Sequence, residues 1–145
     1  MNQDNYSFTI NEVPVPKGRP RFSTSHSSKR MVAYTPKRTR DYEKIVHEEA
    51  NKHINCVIDG EVHVYMKFIF PRPKRLIPKR HPDGIIPHDK RPDIDNLTKS
   101  LLDGLGKLLR DDAIVTRITA EKFYAERGGE ARTIVNITVN KDTLP

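Results

Sequence analysis

Six of the eleven prolines in this chain fall in one stretch, PRPKRLIPKRHPDGIIPHDKRP, from Pro71 to Pro92. Each proline fixes φ and removes a backbone donor, so neither a helix nor an interior strand can run through the segment. Regular structure must be built on either side of it. A connection this long inside a compact domain is usually functional or mobile. A shorter break precedes it: in VPVPKGRPRF, Pro14, Pro16, Gly18 and Pro20 exclude helix and favour an extended loop.

Between these breaks the periodicities are readable. Tyr6 to Ile10 alternates apolar and polar and predicts a strand. Ser23 to Ser28 reads as a flexible tip that orders on a ligand, and Met31 to Tyr34 as a short return strand. Thr35-Pro36 supplies a helix start, with threonine as N-cap and proline in the first turn. Tyr42, Ile45, Val46 and Ala50 give that helix an apolar stripe as far as about His53. Val62, Val64, Met66, Phe68 and Phe70 alternate with polar neighbours in the clearest strand of the chain. A helix is expected from Asp93 to Leu109, with Ile94, Leu97, Leu101, Leu105 and Leu108 in one sector. Finally, Ile114–Glu126 and Ala131–Asn140 flank Gly128-Gly129, which signals a hairpin. The expectation is one α+β domain over residues 1–145, a mostly antiparallel or mixed sheet with two helices packed on it.

Charge narrows the function. The net charge is +7, and it is concentrated. Val13 to Arg40 holds eight Lys/Arg and no acid, and Pro71 to Arg91 holds seven bases against two acids. Beyond Arg91, eight bases meet nine acids. A basic front half facing an acidic cluster suggests a grip for a polyanion beside a cation site. No apolar run approaches the ~18–20 residues that span a bilayer, and MNQDNYSFTI lacks the features of a signal peptide. The single cysteine, Cys56, is read as a small buried hydrophobe, and the expected setting is a reducing cytoplasm.

Four aspartates bracket one helix: Asp93 and Asp95 at its mouth, Asp111-Asp112 beyond its end. Lys99 lies one turn after Asp95 on the same flank. Taken singly, these residues are explained as caps, dipole partners and turn formers. Together, two or three carboxylates are what a hard cation such as Mg²⁺ needs beside a phosphodiester, with a lysine to neutralise growing charge. The helix is roughly 22 Å long at 1.5 Å per residue, so Asp112 reaches Asp95 only if the chain folds back. Six scattered histidines and one cysteine show no zinc spacing, and no glycine-rich phosphate loop indicates a nucleotide cofactor.

RPDIDNLTKSLLDGL followed by LLRDDAIV resembles the RusA family of crossover (Holliday) junction endodeoxyribonucleases of phages and prophages, as do KGRPRF and YTPKRTRDYE. The resemblance implies a Mg²⁺-dependent homodimer, with Mn²⁺ as the alternative metal, that resolves four-way DNA junctions by paired nicks in recombination and repair. It assigns Asp93, Asp95 and Asp112 to the metal, Lys99 to the phosphate, and supporting roles to Asn96 and Asp111. A basic grip is expected from Lys17, Arg19, Arg21, Lys37, Arg38, Arg72, Lys74 and Arg75 on the DNA backbone. Phe22 is either a wedge into an opened base step or a core residue. His88, close before Asp93, is expected to be an exposed loop residue, with a place near the metal as the alternative, and Asp103 a surface or salt-bridge residue and not a ligand. Two alternatives stay open: a DNA- or RNA-binding module without catalysis, and a nuclease acting on flaps or forks.

Overall fold

The computed structural model describes residues 3–19, 21–24 and 31–141. Part of the expected flexible tip, Ser25 to Ser28, lies outside the described residues. In chain order come β1 (Gln3–Ile10), β2 (Arg21–Thr24), β3 (Met31–Tyr34), α1 (Lys37–His53), β4 (Glu61–Phe70), β5 (Ile86–Pro87), α2 (Ile94–Leu105), β6 (Val115–Tyr124) and β7 (Arg132–Asn140). The two shortest early strands, β2 and β3, pair only with each other. The remaining five form one sheet in the order β1-β7-β4-β6-β5. This is the α+β architecture expected: one mixed sheet carrying two helices.

The sheet is built around β4. Val62, Val64, Met66 and Phe68 are essentially inaccessible, and they meet Thr133, Val135, Ile137 and Val139 of β7 on the same face. Leu97, Leu101 and Leu105 of α2, with Tyr42, Val46 and Ala50 of α1, cover that face. The helices touch closely because Gly104 faces Val46; a Cβ on Gly104 would lie 2.7 Å from the Cβ of Val46. Tyr42 carries a hydroxyl into this core and satisfies it on Thr133 Oγ1 at 3.1 Å. Burial pushes its pKa up to about 12 despite that hydrogen bond.

The hairpin expectation fails. β6 and β7 are joined through Gly128 but do not pair; β4 lies between them, antiparallel to β7 and parallel to β6. A turn signal reports that the chain reverses, not which strand fills the space between its arms. The fully buried residues of β4 require a partner on each side, and the two late strands supply them. Between β4 and β6 the chain crosses over through the proline-rich segment and α2.

Four smaller corrections concern boundaries and exposure. α1 is preceded by Pro36 in the cap position, with no side-chain cap bond, rather than by Thr35. The second helix stops at Leu105 rather than Leu109: Gly106 takes φ +50°, and residues 106–108 form a 3₁₀ turn. Ile94, expected in its apolar stripe, is exposed at the helix start. Cys56 is exposed rather than buried. The proline-rich segment itself is held from within. Arg72 donates to the carbonyls of Leu76, Pro82 and Gly84, and Arg127 donates to those of Ile77, Pro78 and His81.

Candidate active site

Asp93 occupies the N-cap position of α2 and Asp95 its first turn. Both are exposed. Asp93 makes no side-chain cap bond. Among the described residues, neither carboxylate has a hydrogen-bond or ion-pair partner, and Lys99 does not pair with Asp95. Side-chain capping and pairing are therefore not what these carboxylates do, while both lie in the favourable field of the helix N-terminus. Both carboxylates line an open depression of about 710 Å³, together with His88, Glu121 and Lys122.

The loop that presents Asp93 is fastened to β6. Lys122 donates from Nζ to the carbonyl of Pro92 at 2.7 Å and also to that of Lys90. His88 is buried against the same strand. Its ring stacks on Tyr124, with centroids 4.2 Å apart, and meets Phe70 edge-on at 4.8 Å. The Lys90 backbone N–H donates to His88 Nδ1 at 3.1 Å, which fixes the ring as an acceptor on that side. Burial, then the nearby Lys122, lower its pKa, and Asp89 offsets part of that. The expectation of an exposed histidine is thus corrected: 7% of His88 remains accessible. Lys122 and His88 set where Asp93 sits. Lys122 was overlooked in the sequence, although a lysine in register with Ala120 and Tyr124 on the core-facing side of a strand is an available signal.

Beside Lys122, Glu121 accepts a hydrogen bond from the Tyr65 hydroxyl. That bond, followed by burial, pushes the Tyr65 pKa up to about 12.

The other acidic pair lies elsewhere. Asp111 is the cap of a 3₁₀ turn (Asp112–Ile114) and accepts from the Ala113 N–H at 2.9 Å. Asp112 is exposed, without a partner among the described residues. Asp111 and Asp112 line a depression of about 420 Å³ at the C-terminal end of α2, with Asp103 and Arg110. The helix between the two acidic groups is about 18 Å long, and β6 runs from the Asp112 end back towards the Asp93 end. Among the described residues, no group of three or more His, Cys, Asp or Glu side chains comes together to hold a metal. One chain therefore brings Asp93 and Asp95 together but leaves Asp112 at the far end.

The donors still fit a hard divalent cation. Asp93 and Asp95 offer oxygen atoms only, open to solvent, and such an ion accepts two carboxylates and keeps several waters.

The expected basic grip divides. Lys17 is held by Glu43 at 2.6 Å and by Asp103 at 2.9 Å. Burial lowers its pKa, but those two hydrogen bonds outweigh it and leave the pKa raised. Asp103 is thus the salt-bridge residue expected. Arg72 is occupied by three carbonyls, as described above. Arg75 lies against Tyr124, its guanidinium carbon 5.9 Å from the ring centroid. Arg19, Lys37, Arg38 and Lys74 are exposed, and the side chain of Arg21 lies outside the described residues. Phe22 is 61% exposed on β2 and is not a core residue. Asn96, in the first turn of α2, accepts the Lys17 N–H on its backbone carbonyl at 2.9 Å. No helix among the described residues is long and apolar enough to cross a membrane.

Comparison with known proteins agrees with the motif. Over 130 residues the chain is 29% identical to YqaN of Bacillus subtilis (strain 168), an uncharacterized protein; the match covers 85% of this chain and 90% of that one. Residues 12–138 match the family described as Endodeoxyribonuclease RusA, a range that holds both acidic pairs, the proline-rich segment and most of the sheet. The chain therefore belongs to the RusA endodeoxyribonuclease family, whose nucleases depend on a divalent metal.

Proposed function

We propose that this protein is a Mg²⁺-dependent endonuclease that resolves four-way DNA junctions by paired nicks, and that it works as a homodimer. The observation that carries the reading is the Asp93–Asp95 pair, two exposed carboxylates without partners among the described residues, in a basic protein of a nuclease family. Asp93, Asp95 and Asp112 would hold the metal, and Mn²⁺ would serve in place of Mg²⁺. Bound there, a divalent cation polarises the scissile phosphate and favours ionisation of the attacking water. Lys99, exposed on the flank of α2, neutralises charge that builds on the phosphate oxygens. Asn96 and Asp111 support the site, Asp111 by capping the turn that carries Asp112.

A second copy of the chain answers the separation of the acids. Along one side β6 pairs with β4; along the other, only Phe123 and Tyr124 pair with β5. The Lys122 carbonyl accepts from the His88 N–H at 3.2 Å, so among the described residues Val115 to Glu121 forms an open strand edge, and Ile118 on it is 44% exposed. Antiparallel pairing of two such edges about a two-fold axis would bring the start of one β6 alongside residues 119–121 of the other. Asp112 of one copy would then approach Asp93 and Asp95 of its partner. Two equivalent sites related by a two-fold axis also suit the nicking of two opposed strands. The exposed cations Arg19, Lys37, Arg38, Lys74 and Arg75, with Arg21, contact the DNA backbone. Lys17 and Arg72 hold the surfaces that carry them.

The test is nicking of a labelled four-way junction against linear duplex, flap and fork controls, in Mg²⁺ and in EDTA. Symmetric metal-dependent nicks in the junction, lost in Asp95→Asn with binding retained, are the expected result. Binding without cutting in any metal, unaffected by the substitution, would leave a binding module. Preferential cutting of flaps or forks would reassign the substrate.

A further inference from the structure

Behind Asp93, on the side away from the depression shared with Asp95, lies a cleft of about 500 Å³. It is bounded by the segment from Val13 to Lys17, the first turn of α1 and the loop entering α2. Arg91 and Asp93 line both cavities. The volume lies within the roughly 300–1,000 Å³ range of small-ligand sites.

The lining is unusual for a protein this basic. Pro14, Pro16, Phe70 and Pro92 give it apolar walls. Three cations border it, and they are not equivalent. Lys17 is neutralised by Glu43 and Asp103. Arg38 and Arg91 are exposed and have no acidic partner among the described residues. Asn96 adds a side-chain amide with no hydrogen bond among the described residues. Flat apolar walls suit the face of a nucleobase, an amide suits its edge, and unpaired guanidinium groups suit its phosphate.

We propose that this cleft takes up one nucleotide of the DNA, drawn out of the base stack next to the phosphate held at Asp93. The inference rests on the reading of Asp93 as part of the nicking site. Extrusion costs least where stacking is already interrupted, as at the exchange point of a junction held open by the protein. The pocket would therefore bias the enzyme towards branched DNA and give it a base preference at the cut, with Asn96 reading the edge. Val13, 41% exposed at the rim, stands where a larger side chain would fill the entrance.

The experiment is an NMR titration of the full chain with each of the four 2′-deoxynucleoside 5′-monophosphates, with deoxynucleosides and inorganic phosphate as separate arms. At least one monophosphate should bind with Kd on the order of 1 mM, as a small fragment with few contacts would. The shifts should centre on the amides of Asn96, Arg91 and Val15. Val13→Trp should weaken binding at least tenfold with melting temperature retained, and Arg38→Ala should reduce a monophosphate to the affinity of its nucleoside. If Val13→Trp fails to fold, Arg38→Ala carries the test alone.

No saturable shift from any monophosphate would overturn the proposal. So would equal binding by phosphate alone, or binding unchanged by Arg38→Ala. The nuclease reading is scored separately by the junction assay. Monophosphate binding without nicking keeps the pocket and removes the nuclease; nicking without monophosphate binding removes the pocket and keeps the nuclease.

Discussion

The two ends of α2 carry the same residue type in opposite conditions. At the C-terminal end, the aspartates and bases around the helix are mostly engaged: Asp103 with Lys17, Asp111 with the Ala113 N–H, and Asp59 with Arg110 at 2.6 Å. At the N-terminal end, Asp93 and Asp95 have no protein partner among the described residues, while the backbone carrying them is fastened by Lys122 and His88. A fastened backbone carrying carboxylates with no partner among the described residues is what supports the proposed metal site; on the far side the carboxylates are engaged by the protein. Asp112 belongs with the first kind although it lies among the second.

The largest effect should come from breaking the N-terminal end. Asp95→Asn should lower metal-dependent nicking by more than about 100-fold, beyond the 10–100-fold typical of losing a residue that supports a metal ligand. Its melting temperature should fall little, since Asp95 has no hydrogen-bond or ion-pair partner among the described residues to lose. A parallel drop in melting temperature would show that Asp95 holds the fold instead.

Loosening the frame should come next. Lys122→Met removes the grip on Pro92 and Lys90 while keeping the aliphatic stem, and should slow nicking by about 10–100-fold. Isothermal titration with Mn²⁺ should show weakened metal binding in the same variant. Wild-type affinity and rate would remove Lys122 from the account.

At the other end, the effects should appear in stability and not in chemistry. Gly104→Ala forces a methyl group against Val46, and should destabilise the fold by about 1–3 kcal/mol as overpacking does. Denaturant unfolding reads that loss. Asp103→Asn should be smallest. It leaves Lys17 paired with Glu43, and a partly exposed ion pair is worth roughly 0.2–1 kcal/mol. Nicking by Asp103→Asn at the wild-type rate would sharpen the contrast; a 100-fold loss would erase it.

Much of this contrast was readable in the sequence, but unevenly. Alternation exposed β4, whose inward residues Val62, Val64, Met66 and Phe68 all lie in the core. Helical spacing placed Leu97, Leu101 and Leu105 on the buried side of α2. Both signals are local, because burial repeats with the period of the element. The pairing of the last two strands was not local. Gly128-Gly129 reverses the chain, yet nothing in those residues states that β4, more than fifty residues earlier, comes between the arms.

The candidate site divided the same way. The DIDNLTK motif marked Asp93, Asp95 and Lys99, and DD marked Asp111 and Asp112. Which acids have partners depends on residues distant in sequence, such as Lys17 for Asp103. The basic grip shows the limit most clearly. Lys17 and Arg72 look like phosphate contacts in a charge count, and in the fold their charges are already engaged by Glu43, Asp103 and three carbonyls.

The central claim is that the metal site needs Asp95 from one copy and Asp112 from another. It is tested most directly by mixing two inactive proteins, Asp95→Asn and Asp112→Asn, under conditions that allow subunits to exchange. If the acids act across the interface, a mixed dimer holds one site with every acid intact and one lacking both. Random exchange should then restore about a quarter of the wild-type sites, cutting by single rather than paired nicks. If the acids act within one chain, both sites of the mixed dimer stay broken. No recovery of nicking, with exchange shown by a subunit tag, would contradict the account.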